Sequence, residues 1–331
     1  MVEIKFIQKV FRGLPIPETI KNKIRIRIHL LNESKTKNTI NIYGKNECYP
    51  KYNGIIKNVT AVVPNYNYER FLNERIDSIL FQTYPVKEIK ILDDCSSDDS
   101  VKFIKQKIKY NKSGINIRLI ENEKNSGSVF SQWQKAFQVA KTEYIWIAEA
   151  DDSSDARFLE TVMKGFDDPQ VVLSYCESLT MDENNKLLMG NLRPWIDIFS
   201  CGKWNDNYVN DGKKEVEETM CINNTIANVS SAVIKNGDYQ KILEGAKAFK
   251  LAGDWYAYMN ILKNGKIAYF KESYNYHRMQ NQGLTLSTSH EQEFDEIVRL
   301  QDFALSNFDI SETVIKKVYE RRERERIRFG L

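Results

Sequence analysis

The sequence predicts an α/β domain with a mostly parallel central sheet and helices on both faces, plus a less regular region and terminal helical extensions. Three observations lead there. Short β-branched runs alternate with amphipathic segments of helical period, and the runs stop at Pro or Asp. Neither an internal repeat nor an apolar run of membrane-spanning length breaks the pattern. With 331 residues, 42% hydrophobic and 28% charged, the chain can bury a large core and is neither disordered nor fibrous.

The first element is a basic extension, residues 1–57. Met1 to Lys51 holds eleven Lys or Arg against four Glu, so the remainder is net negative although the whole chain is +3. Ile, Leu and Phe interleave with the cations in Ile4 to Phe11 and Ile20 to Leu31. Such an arm can make peripheral contact with an anionic membrane, dock on a partner, or pack as a solvated extension on its own domain. Sparse aromatic residues in the arm argue against nucleic acid. The five cysteines, Cys48, Cys95, Cys176, Cys201 and Cys221, are odd in number and form no C-x-x-C pair, which speaks against a disulfide framework or a zinc site. With no signal-peptide pattern, the expectation is a cytoplasmic protein, peripheral at the inner face of the membrane if the arm binds lipid.

Val59 to Val63, halted by Pro64, reads as a buried strand. Beyond the Asn65 to Tyr68 loop, Leu72, Ile76, Ile79 and Leu80 recur at helical spacing. Glu88 to Leu92 is a second strand ending in Asp93 and Asp94, and Ser97 can cap a helix carrying Val101, Ile104 and Ile108. Ile115 to Ile120 is a third strand, Ser128 to Lys141 a helix, and Glu143 to Ala148 a fourth strand ending in Glu149-Ala-Asp-Asp152. From Met181 to Lys250 the periodicity weakens, which predicts irregular structure that shapes a substrate pocket. Helices return over Asp254 to Asn264 and Glu291 to Ser306, and Lys316 to Arg328 reads as a mixed-charge helical face or a frayed end. The halves divide at residues 58–176 and 177–288, with 289–331 as a C-terminal helical extension.

In such sheets ligands bind at the carboxyl ends of the strands. That rule selects Pro64 to Asn67, Asp93-Asp94, and Glu149 to Asp152. Glu149 and Asp151 can share a side and hold a hard cation, Mn2+ or Mg2+, leaving coordination sites for a diphosphate; alternatively Asp152 or Ser153 caps a helix. Asp93 and Asp94 can accept from a base or ribose, or can serve Asx-turn and capping chemistry. The Asn125-Ser-Gly-Ser128 turn can offer N–H groups to an anion.

Together, Val62-Val-Pro-Asn-Tyr-Asn-Tyr-Glu69, Leu92-Asp-Asp-Cys-Ser-Ser-Asp-Asp-Ser100, Asn125-Ser-Gly127 and Tyr144 to Asp152 resemble family 2 glycosyltransferases, from about Asn58 to Tyr175 and more weakly to Ser287. The resemblance implies a Rossmann-like GT-A fold and an inverting transferase that uses a nucleotide-sugar donor, UDP- or dTDP-linked. It implies a glycan or lipid-linked acceptor in surface polysaccharide or glycoconjugate synthesis. Pro64, Tyr66, Asn67 and Glu69 would line the donor site with Ser126, Gly127 and Ala150, and Asp93 or Asp94 would meet the base. The family's Asp-x-Asp motif falls on Glu149-Ala-Asp151, with Glu at its first position, and Cys95 stands where Gly is frequent. Gly253-Asp-Trp255 matches the general-base position, giving Asp254 that role; an N-cap is the alternative. Tyr276-His-Arg-Met279, followed by Gly283 to Thr288, resembles the tail that closes over diphosphate, with Arg278 as clamp and Met279 and Gln280 where a His is often found. A non-catalytic sugar-nucleotide module and a sugar nucleotidyltransferase are the other readings; the latter ordinarily shows a Gly-rich phosphate loop that Pro64 to Glu69 lacks.

Overall fold

β1 (Val59–Asn65) is buried throughout, and its alternate side chains feed two cores: Val62 enters one, while Val59, Ala61 and Val63 enter the other. A strand buried on both faces is what a sheet covered on both sides requires. The computed structural model describes residues 52, 54–196, 202–280 and 289–331. The basic arm to Lys51, with Cys48, and also Cys201 and Gly283 to Thr288, lie outside them. Cys95, Cys176 and Cys221 are free thiols.

Around β1 the sheet builds from β2 (Glu88–Asp93), β3 (Asn116–Glu121) and β4 (Tyr144–Ile147), all parallel and ordered β3-β2-β1-β4. The connecting helices are α1 (Glu69–Leu80), α2 (Ser100–Lys109) and α3 (Val129–Val139). They take opposite faces. Leu72, Ile76 and Ile79 of α1 and Ile104 of α2 fill the core on one side, and Phe130, Trp133 and Phe137 of α3 fill the other. Crossovers of this kind leave the loops after β1, β2 and β4 on one edge. The expected cap at Ser97 does not form: α2 begins at Ser100, and the Ser97 N–H and hydroxyl instead donate to Asn67 Oδ1.

Beyond β4 the sheet becomes mixed. A two-residue β5 (Ser153–Ser154) is followed by α4 (Phe158–Val162), β6 (Val171–Met181), β7 (Leu187–Asn191), β8 (Tyr208–Asp211) and β9 (Ala232–Lys235). The segment read as irregular therefore contains sheet. β9 lies antiparallel between β4 and β6, and β10 (Lys266–Arg278) runs parallel to β6, completing the order β3-β2-β1-β4-β9-β6-β10-β5. α5 (Gln240–Ala246) and α6 (Gly253–Leu262) close over the face that α3 covers.

The C-terminal helices α7 (His290–Asn307) and α8 (Glu312–Phe329) join that same core. Leu300, Ala304 and Val318 are fully buried in it, and Gln301 Nε2 donates to the Ile222 carbonyl at 2.8 Å. α8 is helical to its Gly330 cap, whose φ of 74° needs glycine's freedom. No helix among the described residues is long and apolar enough to cross a membrane.

Candidate active site

β4 delivers Glu149, Asp151 and Asp152 to the sheet edge, but on a turn rather than on the strand. β4 ends at Ile147, and the Asp152 N–H donates to the Glu149 carbonyl at 3.2 Å. Strand alternation therefore does not decide which side chains share a side. The three carboxylates differ in their partners. Asp152, 2% exposed, is saturated: Oδ2 accepts from Ser230 Oγ at 2.6 Å and Asn228 Nδ2 at 2.9 Å, and Oδ1 accepts from the Arg278 N–H at 3.0 Å. Burial opposes its charge, yet the His277 contact and these donors hold its pKa below the usual range. It caps no helix and serves as the keystone of the turn.

Glu149 and Asp151 are less well served. Glu149 Oε1 accepts from the Trp133 indole at 3.3 Å, and Asp151 Oδ2 accepts from Gln280 Nε2 at 2.5 Å. The second oxygen of each has no hydrogen bond from a described residue. Burial, followed by the neighbouring carboxylates, pushes Glu149 up to about 8 and raises Asp151 too. Arg75, fully buried with its guanidinium 4.9 Å from the Trp146 ring, supplies partial counter-charge behind the turn.

Two hard carboxylates with free oxygens and an excess of negative charge suit Mg2+ or Mn2+. Among the described residues no cluster of three or more His, Cys, Asp or Glu is arranged to hold a metal, so further ligands would come from diphosphate oxygens and water. His277 Nδ1 faces Asp152 at 3.3 Å and Asn228 Nδ2 at 2.6 Å.

The second acidic strand end is of another kind. Asp93, 1% exposed, accepts from Asn65 Nδ2 at 2.7 Å and from the Ser96 N–H and hydroxyl. Asp94 accepts from Asn122 Nδ2 at 2.6 Å and from the Ser126 N–H and hydroxyl. Both carboxylates hold their own loops, each oxygen already accepting at least one hydrogen bond. The turn they secure is closed as well: the Gly127 N–H donates to Asn125 Oδ1 at 2.6 Å, and φ at Gly127 is 68°. The Ser126 and Gly127 N–H groups are thus engaged, and the Ser128 N–H donates to Ser126 Oγ at 3.4 Å.

In the first loop, Asn67 sits at φ 59° and its Oδ1 accepts from the Ser97 and Asp98 N–H groups, tying the loops together. Pro64 is buried within β1, Tyr66 is 46% exposed, and the Glu69 N–H donates to Asp98 Oδ2 at 3.0 Å. Ala150 is fully buried, and its side chain belongs to the core on the α1 side.

Arg278 departs most from expectation. Only 2% exposed, it donates from Nε to the Asp151 carbonyl at 2.6 Å, from Nη1 to the Asp182 carbonyl and Asn185 Oδ1, and from Nη2 to Glu74 Oε2 at 3.1 Å. These bonds engage four of the five guanidinium N–H groups. The residue is an internal strut under the acidic turn and not a free phosphate clamp. Gln280, two residues on, reaches Asp151 and accepts from Arg70 Nη2 at 3.2 Å.

Asp254 lies in the first turn of α6, one residue inside the helix, whose N-cap is Ala252. Its Oδ2 accepts from Asn224 Nδ2 at 3.0 Å, and burial is the main cause that raises its pKa to about 6. Tyr258, one turn further on, is fully buried; its hydroxyl has no hydrogen-bond partner among the described residues and feels the charges of both Asp254 and Glu149. Its ring centroid is 6.2 Å from that of Trp133, the residue holding Glu149. Trp133 and Tyr258 thus bridge the acidic turn and the base helix. The sequence does not single out Asn224, Asn228 or Ser230, although Asn223 to Ser231 is conspicuously rich in Asn and Ser, and it marks Gln280 only as standing where a His is often found.

The family model for glycosyl transferase family 2 matches residues 60–219. A poly(ribitol-phosphate) beta-glucosyltransferase of Bacillus spizizenii is 35% identical over 96 residues, covering 28% of this chain and 15% of that protein. The aligned stretches span well under half the length of the curated relatives matched. Among solved structures, Staphylococcus aureus TarS 1–349 in complex with UDP-GlcNAc superposes at TM-score 0.59 with 18% identity, over 82% of this chain and 73% of that one. The mannosyltransferase PcManGT of Pyrobaculum calidifontis, in complex with GDP-Man and Mn2+, gives 0.58 with 16% identity, over 93% and 80%. Both share the GT-A arrangement of a mixed, mostly parallel sheet between helical layers.

Proposed function

The chain belongs to glycosyltransferase family 2, and from that premise we propose that it is an inverting, metal-assisted transferase acting on a nucleotide-sugar donor. The donor is UDP- or dTDP-linked, and the acceptor is a hydroxyl of a glycan or lipid-linked polymer in surface polysaccharide synthesis, at the cytosolic face of the membrane. One observation carries the reading: an under-satisfied carboxylate pair, Glu149 and Asp151, is bridged by Trp133 and Tyr258 to a base of raised pKa on α6. The relatives with polymer-linked names and the UDP-GlcNAc-bound neighbour support the substrate class.

Asp151, with Glu149, would hold Mn2+ or Mg2+, which when bound neutralises the leaving diphosphate. Asp254 accepts the proton of the acceptor hydroxyl as that oxygen attacks the anomeric carbon opposite the diphosphate, and a single displacement inverts the configuration. Tyr66 and Glu69 line the nucleotide side beside Pro64, while Asn67, Asp93, Asp94, Ser126 and Gly127 hold the loops in shape. Purified protein, incubated with manganese, a panel of UDP- and dTDP-sugars and glycan acceptors, should release nucleoside diphosphate and form a product of inverted anomeric configuration. Retention of configuration, or release of pyrophosphate, would overturn the reading.

A further inference from the structure

α7 lies beyond the matched family segment, yet one of its side chains reaches the turn that carries Asp254. Glu296 is 2% exposed. Its Oε1 accepts from the Lys250 N–H at 2.7 Å, and its Oε2 accepts from the N–H groups of Leu251 and Ala252 at 2.9 and 3.0 Å. Ala252 is the N-cap of α6 and brings no side-chain cap of its own. The first N–H groups of a helix lack intrahelical partners, and negative charge at that end is favoured by the helix dipole. Here a carboxylate from another helix accepts from the N-cap N–H and from the two N–H groups that lead into it, and sets negative charge at that end, across 44 residues of sequence from Ala252.

Packing holds the same turn from the other side. A Cβ at Gly253 would come within 2.5 Å of the Ala246 carbonyl oxygen and the Phe130 ring, so α6 sits tightly against α5 and α3. Between that close approach and three hydrogen bonds from α7, the start of α6 has one position.

We propose that Glu296 is a positioning residue for the base: from α7 it fixes the first turn of α6 and thereby where the Asp254 carboxylate stands. The proposal rests on the reading of Asp254 as base. The groups facing Asp254 are Asn224 Nδ2, the Trp255 N–H, Tyr258 on its own helix, and Glu296 across the helix interface. After burial, the Glu296 charge is a further cause that raises the proton affinity of Asp254, so neutralising Glu296 moves the acid limb of the rate profile to lower pH.

Glu296→Gln is nearly isosteric, but an amide offers only one acceptor oxygen to three donors. In the full chain it should lower kcat by about 10- to 100-fold, the scale of small misplacements of a catalytic group. UDP affinity with manganese should stay within about twofold, since the donor loops share no partner with Glu296. Gln301→Met is the control, because Gln301 anchors α7 to the Ile222 carbonyl without touching the Asp254 turn. It should lower melting temperature and leave the acid limb in place. If Glu296→Gln matches Gln301→Met in both kcat and pH profile, Glu296 is merely structural and the proposal falls. If Asp254→Asn keeps full turnover, the base reading itself fails, which the same assays detect separately.

Discussion

Two acidic strand ends stand at one edge of the sheet, and they differ in everything but composition. After β2, Asp93 and Asp94 accept from Asn, Ser and backbone donors until both carboxylates are satisfied. After β4, Asp152 is satisfied in the same way, but Glu149 and Asp151 each keep an oxygen without a described partner and crowd one another's charge. The difference separates architecture from chemistry. A carboxylate surrounded by neutral donors holds a loop; a pair short of donors and raised in pKa calls for a cation.

The contrast can be broken by exchange of effects. Asp151→Ala should cost the most in activity, on the order of 10³-fold in kcat/KM, because the metal contribution to the leaving group amounts to several kcal/mol. Stability should change little. Asp94→Ala should do the reverse: it removes the buried carboxylate that ties the Asn122 amide and the Ser126 N–H and hydroxyl to the end of β2, and lowers stability by about 1–3 kcal/mol, read by urea unfolding. A stability loss in Asp151→Ala as large as that in Asp94→Ala would erase the distinction.

A pH profile sharpens it further. Asp254 must be ionised to accept a proton, and its pKa is raised to about 6, so with saturating manganese, which keeps Glu149 and Asp151 ionised, kcat/KM should be level above that value and fall about tenfold per unit below it. An acid limb near pH 4 would mean that the buried environment of Asp254 is not the working one. The smallest effect belongs to Ser97→Ala. Ser97 caps no helix, and its hydroxyl is 3.3 Å from Asn67 Oδ1, so the change should stay within about 0.5 kcal/mol by the same unfolding measurement.

The parallel half of the fold was legible because each of its elements is local. β1, β2, β3 and β4 are short apolar runs with firm stops, and α1 and α3 carry clear apolar faces. β9 was not legible: four residues, Ala232–Lys235, become a strand only because β4 and β6 flank them, and both partners are distant in sequence. β10 mixes Lys, Glu, Asn and His into its thirteen residues, so its strand character comes from pairing with β6 rather than from its own pattern.

At the site, the acids could be named from sequence but their partners could not. Nothing local distinguishes Glu296 from Glu291 or Glu293, or marks Arg278 as a strut, because hydrogen bonds between distant elements decide both.

The division of labour between the acidic turn and the base helix is tested most directly by titrating UDP with manganese into wild type, Asp151→Ala and Asp254→Asn, alongside turnover. The account predicts that Asp254→Asn binds UDP as wild type does while turnover falls by about 10²- to 10⁴-fold, and that Asp151→Ala loses the manganese dependence of binding. Manganese-dependent binding intact in Asp151→Ala, or full turnover in Asp254→Asn, would contradict it.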